Sequence, residues 1–335
     1  MRNPILILLL SLAFAGGCAN TSPTHAQKSP VWPSPPERAR IAFVQAISTP
    51  ADIDAGRGVF SRLAGFILGA KIEEIIRPYG VAVDSKGRLL VADSAFKKVH
   101  VFDIKNSEYS AIEDASDADL ALPVAIAVDA DDNIYVTDSI LNKVFAFNKK
   151  KKFLFKIDGF KKPTGVAVNK KTGLLYVADT GANAIKVFDL SGKPVKTIGG
   201  PGTGKAEFNL PVDIFVSAGG DIYVTDTMNY RIQIFDKNGG FMRMFGRHGD
   251  GTGDLGRPKG VAVDIFGNIY VVDAIFDTVQ IFDRDGKFLL NFGGIGNSAG
   301  NFWMPTGIYI DETNRIYVAD SYNKRVQVFE YIGGK

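Results

Sequence analysis

Short runs rich in Val, Ile, Tyr and Phe recur along most of the chain and alternate apolar with polar positions. Alternation over five or six residues predicts half-buried β-strands. The runs come in a fixed order. The first begins at a proline, in segments starting at 77, 122, 162, 210, 257 and 304 (Arg77-Pro78, Leu122-Pro123, Lys162-Pro163, Leu210-Pro211, Arg257-Pro258 and Met304-Pro305). The second ends in an aspartate: Asp93, Asp138, Asp179, Asp226, Asp273 and Asp320. The third ends at a phenylalanine: Phe102, Phe147, Phe188, Phe235, Phe282 and Phe329. Glycine-containing turns such as Asp84-Ser85-Lys86-Gly87 separate the runs, and several copies add a fourth, as at Phe288-Leu289-Leu290-Asn291-Phe292.

The repeated aspartates lie 41 to 47 residues apart. Four antiparallel strands at such a period describe a propeller blade, and six blades close a ring that leaves few exposed edges. The expected fold is therefore all-β, a single six-bladed β-propeller over 40–335. Its last copy stops after a third strand, at Phe329-Glu330-Tyr331. The missing strand is available at the other end of the chain, at 40–46 (Arg40-Ile41-Ala42-Phe43-Val44-Gln45-Ala46), so the head strand is expected to complete the tail blade. Between that strand and the first repeat lies an insert at about 51–76. Within it, Val59, Phe60, Leu63, Phe66 and Ile67 fall on a helical stripe that stops at Gly69, which predicts a short helix over 58–69.

Ahead of the repeats, Arg2 precedes an apolar run from Ile5 to Phe14 that is too short to span a bilayer, then Ala15, Gly16, Gly17 and the sole cysteine, Cys18. A basic start, a short apolar core and small residues predict a signal peptide over 1–17. Ala15-Gly16-Gly17-Cys18 resembles the lipobox of bacterial lipoproteins, with Ala15 where that family prefers Leu. The resemblance implies lipidation at Cys18 and membrane attachment through the lipid; an ordinary cleaved signal with a chance cysteine is the alternative. Ala19 in place of Asp after the cysteine resembles outer-membrane sorting, so the expected address is the cell envelope, facing periplasm or surface. From 18 to 39 the chain is rich in Ser, Thr and Pro, including Trp32-Pro33-Ser34-Pro35-Pro36, and is expected to be an extended tether.

The repeat unit Pro-x-Gly-Val-Ala-Val-Asp, Ile-Tyr-Val-x-Asp-Ser/Thr, Arg-Ile-Gln-Ile-Phe-Asp resembles the NHL repeat, most clearly over Pro211–Asp236 and Pro305–Phe329, with Asn229 and Asn323 at the family's Asn position. The whole is similar to exported bacterial six-bladed NHL propeller lipoproteins. That resemblance implies a non-catalytic interaction or scaffold module that binds a protein partner through the loops of one propeller face. Some NHL proteins are enzymes, so a propeller enzyme of lactonase or lyase type with a divalent metal in its central channel stays open as the other reading.

Composition narrows the chemistry. A net charge of +3 is too small for binding driven by phosphate neutralisation, so no nucleic-acid partner is expected. One cysteine permits neither an internal disulfide nor a cysteine zinc site. Three histidines, His25, His100 and His248, are too scattered for the repeat to place around one channel, so no metal or other cofactor is expected. Gly199-Gly200-Pro201-Gly202-Thr203-Gly204-Lys205 comes close to a phosphate-binding loop. Ala206 replaces the required Ser or Thr, and a strand follows instead of a helix, so no nucleotide is expected. The six repeated aspartates are expected to cap turns, because a site breaks symmetry whereas a turn repeats it.

Two groups of residues depart from the repeat. After the second strand, apolar side chains occupy loop tips that are normally polar, which marks a contact surface. The partner-binding candidates are Phe96, Leu141, Met228, Tyr230, Phe276 and Tyr322; capping of these loops by the 58–69 helix of the same chain is the competing account, and the two can also divide the surface. Near the axis, Asp213 and Ala125 replace a glycine found in the other four copies. Tyr79, Asp213 and Lys259 are the polar candidates for the channel, with solvated lining as the plainer account. No catalytic residue is assigned.

Overall fold

The computed structural model describes residues 29–54, 73–113 and 119–333. The signal peptide, Cys18 and the helix expected at 58–69 lie outside the described residues. Among the described residues no helix is long and apolar enough to cross a membrane.

Six antiparallel sheets surround one axis. Their innermost strands are Pro78–Val83, Pro123–Val128, Pro163–Asn169, Pro211–Val216, Pro258–Val263 and Pro305–Ile310. Each packs against the next, and the sixth packs against the first, so the ring is closed. The repeated phenylalanines of the third strands are all buried between blades. A further apolar residue recurs three positions before each proline (Ile75, Leu120, Phe160, Phe208, Leu255 and Phe302) and plugs the top of its blade. Tyrosines of the second strands reach the turn below them: Tyr135, Tyr270 and Tyr317 donate to Asp129, Asp264 and Asp311.

The last blade closes as the sequence implies. Strand Ile41–Ile47 pairs antiparallel with Arg325–Tyr331, from Ile41 opposite Tyr331 to Ile47 opposite Val326. The Pro-rich segment differs from expectation in its second half. Val31–Trp32 adds a fifth strand beside Ile41 and Ala42. Trp32 packs its indole 5.9 Å from Phe292 and 5.8 Å from Phe329, centroid to centroid. An extended tether is therefore corrected from residue 29 onward, because the indole gains more by covering two blade-core rings than by staying in water.

Each repeated aspartate is fully buried and accepts from the loop leading into its blade, and in every blade but the third it also binds the turn after its second strand. Asp93 accepts from the N–H groups of Ile76, Arg77, Ala95 and Phe96. Asp138 does the same for Ala121, Leu122, Ile140 and Leu141. The turn-capping role expected from six-fold recurrence is observed in five blades; in blade three Asp179 caps the entering loop at Lys161 and Lys162 and pairs with Lys186. These loops define the upper face; the turns between first and second strands define the lower one.

Close to the axis the strands nearly touch. A Cβ on Gly80 would lie 2.5 Å from the Val124 carbonyl oxygen, and one on Gly307 would lie 2.4 Å from that of Tyr79. Only a residue without a side chain lets adjacent backbones converge this far. That is why the two non-glycine copies, Ala125 and Asp213, matter to the channel.

Candidate functional site

The upper face carries an arc of exposed apolar side chains built by equivalent turns. In blades one, two, four, five and six these are Phe96, Ile140, Met228, Ile275 and Tyr322, between 44% and 62% exposed. The turn backbone is fixed by hydrogen bonds: the N–H groups of Phe96, Ile140 and Ile275 donate to the aspartate two or three positions earlier, and those of Met228 and Tyr322 donate to the carbonyls of Asn209 and Trp303 in the entering loops. Trp303, from the loop leading into blade six, packs tilted against Tyr322 with ring centroids 5.5 Å apart and is itself half exposed. Blade three breaks the arc: its turn is Thr180-Gly181-Ala182, beside the exposed Lys161 and Lys162.

The six loop residues singled out from the sequence divide evenly. Phe96, Met228 and Tyr322 stand in solvent. Leu141 turns inward onto the core of blades one and two. The Phe276 ring covers Gly256, and Tyr230 lies 4.3 Å from the His248 ring. Ile140 and Ile275, their chain neighbours, take the exposed places instead. Trp303 was not among the candidates; its signal was a tryptophan directly after the buried Phe302 in a loop.

The axial channel has two compartments. Towards the lower face opens a cavity of about 330 Å³ walled by Val, Ile and Ala from all six inner strands. Towards the upper face is a narrow space of about 20 Å³ lined by Tyr79, Lys259 and Thr306. Asp213 borders both, so the structure brings the three channel candidates to one constriction. Asp213 Oδ2 accepts from Val261 N–H at 2.9 Å across the seam between blades four and five. Desolvation pushes its carboxyl up to about 7, against the pull of N–H groups of Val261 and Ile214. Burial, with Asp213 beside it, raises the Tyr79 phenol. Burial first, then the Arg257 and Lys162 charges, lowers Lys259 to about 8. The constriction thus runs from cationic above to anionic below.

Of the histidines, His25 lies outside the described residues. His100 is buried in blade one, 2.9 Å from the Tyr109 hydroxyl, and His248 is in the loop leading into blade five. Among the described residues no three His, Cys, Asp or Glu side chains gather as metal donors.

A carboxyl raised on folding keeps its proton where the unfolded chain has already released it. Its contribution is fully present below about pH 4 and is lost as pH rises through about 7. Asp213→Asn keeps an acceptor for Val261. It is expected to match the parent near pH 4 and to be more stable by about 4 kcal/mol at pH 8, read from urea midpoints at the two pH values.

Comparison with known proteins agrees with this architecture. The NHL repeat model matches residues 160–188 and 302–329, and a 6-bladed beta-propeller model matches 217–278. The chain is an NHL-repeat six-bladed propeller. No curated protein matches it. Solved structures share the fold at low identity. A gluconolactonase from Xanthomonas campestris superposes with a TM-score of 0.61 at 15% identity, covering 86% of this chain and 98% of the other. Virginiamycin B lyase from Staphylococcus aureus gives 0.58 at 14%, over 86% and 99%. An auxiliary nutrient binding protein from Bacteroides thetaiotaomicron gives 0.60 at 16%, over 77% and 70%. At such identities the NHL propeller shares a scaffold with these enzymes and binding proteins, and the scaffold alone carries no activity.

Proposed function

We propose that this NHL propeller is a non-catalytic docking module of the cell envelope, exported and anchored through lipid on Cys18, that holds a protein partner against its upper face. The observation that carries the reading is the arc of outward apolar side chains on five of six equivalent turns. Water-exposed turns do not favour such residues, and aromatic anchors such as Phe96, Tyr322 and Trp303 are the kind that supply most of the energy of protein interfaces. A rigid ring adds preorganisation, since its loops lose little entropy on binding. The enzyme reading calls for several metal donors around the axis, whereas the channel wall supplies one carboxylate, Asp213, at its constriction.

The test is photocrosslinking in intact envelopes. A crosslinker at position 96 or 322 is expected to capture one discrete protein, and Phe96→Ser with Tyr322→Ser to abolish capture from position 303 without moving the melting temperature. Phe266, half exposed on the lower face, is the control position. Equal capture from position 266, or crosslinks from 96 and 322 only to residues 55–72 of the same chain, would remove the docking reading.

A further inference from the structure

We infer that the axial cavity on the lower side is a binding site for a compact organic ammonium ion, with Asp213 holding its charge and the inner-strand side chains holding its apolar body. The inference does not depend on what the upper face binds.

Three observations meet here. The first is space: about 330 Å³ lies at the lower end of the volumes that take small organic ligands. The second is the wall. Ile126, Val128, Val168, Ile214, Val263 and Ile308 line it, which suits a hydrocarbon body. The third is the carboxylate. Asp213 stands where four of six blades have glycine, so it is the one acid the inner ring projects at the constriction. Among the described residues no cation forms an ion pair with it; its partners are the N–H groups of Val261 and Ile214. A carboxylate at the end of an apolar cavity, with acceptor capacity left over, is complementary to a group that brings both positive charge and N–H donors. An alkylammonium brings both. A divalent metal wants several oxygen ligands converging on one point, and at the constriction Asp213 is the one carboxylate, the other acids of the lining standing at the lower mouth.

The charges around the site agree with entry from below. Asp264, Asp311 and Glu312 stand at the lower mouth with Lys170 and Lys171, so acids outnumber bases there. Above the constriction, Lys259 and the Arg257 and Lys162 charges that it feels oppose a cation coming from the other side. The raised carboxyl also sets a sign. Binding of an ammonium favours ionised Asp213, so affinity should rise from pH 6 to pH 8 and binding near pH 7 should release a proton.

The experiment is titration calorimetry of the intact propeller with benzylammonium, benzyl alcohol and benzoate, at pH 6 and pH 8 and in two buffers of different ionisation enthalpy. Saturable binding of benzylammonium is expected, at least about tenfold tighter than the alcohol, tighter at pH 8 than at pH 6, and accompanied by proton release. Benzoate should not bind. Asp213→Asn should weaken the ammonium about tenfold or more and leave the alcohol unchanged. The comparison of ammonium with alcohol on the parent protein needs no variant, so a misfolded variant would not protect the proposal. Equal affinity for the two, no saturable binding of the ammonium, or affinity that falls between pH 6 and pH 8 would overturn it; the last would mean that Asp213 acts as a neutral donor.

Discussion

A chain lacking residues 41–47 is expected to lose its cooperative melting transition. Ile41 and Ile47 are wholly buried at the two ends of that strand, in the cores on either side of blade six. Phe43 packs edge-on 5.8 Å from Phe329. Each such side chain contributes about 1.5–3 kcal/mol by burial. The ladder to Arg325–Tyr331 goes with them, and so does the docked Trp32. The sum rivals the whole stability of an ordinary domain, roughly 5–15 kcal/mol. The loss is also not local. Every other blade has its own fourth strand, but blade six borrows one from the head of the chain, so this strand fastens the ring. Circular dichroism melting decides the matter. A midpoint within a few degrees of the parent's would show that the ring does not depend on this clasp. Ile47→Ala is the graded version, at about 2–5 kcal/mol.

Asp226→Ala is expected to cost about 3–5 kcal/mol, the range for breaking a buried ion pair from one side. Asp226 accepts from Asn209 N–H at 2.7 Å, Asn229 Nδ2 at 2.8 Å, Arg231 Nε at 2.8 Å and Gln233 Nε2 at 3.1 Å. Arg231 in turn donates to the carbonyls of Thr203, Gly204 and Glu207 and so shapes the whole loop leading into blade four. Without the aspartate a guanidinium stays buried with dipoles but no counter-charge. The double variant Asp226→Ala with Arg231→Met should recover part of the loss, because it removes the stranded charge. Urea unfolding of the two variants measures this. A double variant less stable than the single one would show that the arginine acts through its carbonyl contacts alone. Blade six repeats the device with Asp320, Asn323, Arg325 and Gln327, so the same substitution there should behave alike. Blade one replaces the Arg-x-Gln pair by Lys98 and His100, and Lys98 reaches the carboxylates of Glu73 and Glu113 instead.

The sequence was informative about chemistry only where chemistry is local. The turn role of the aspartates followed from repetition, and their backbone partners lie close in sequence, for Asp93 two and three residues ahead and sixteen and seventeen behind, within one repeat. The loop residues were harder. Leu141 and Ile140 are neighbours of similar character, yet one packs on the core of two blades and the other is 62% exposed. No single-residue preference separates them; the difference is a rotation of the turn set by hydrogen bonds to Asp138.

What the chain determined by itself is the blade, its six-fold repetition and the strand that closes it. Those follow from alternation with a period of two, from turn residues and from a count of strands, all read within short stretches. What only the tertiary structure decided is which side chains meet across blades. Trp32 lies some 260 residues from Phe292 in sequence and covers it in space. Asp213 meets the Val261 N–H of the next blade and shares the constriction with Tyr79 of blade one. Such environments depend on how far neighbouring backbones converge at the axis, and that distance is fixed by packing all six sheets at once.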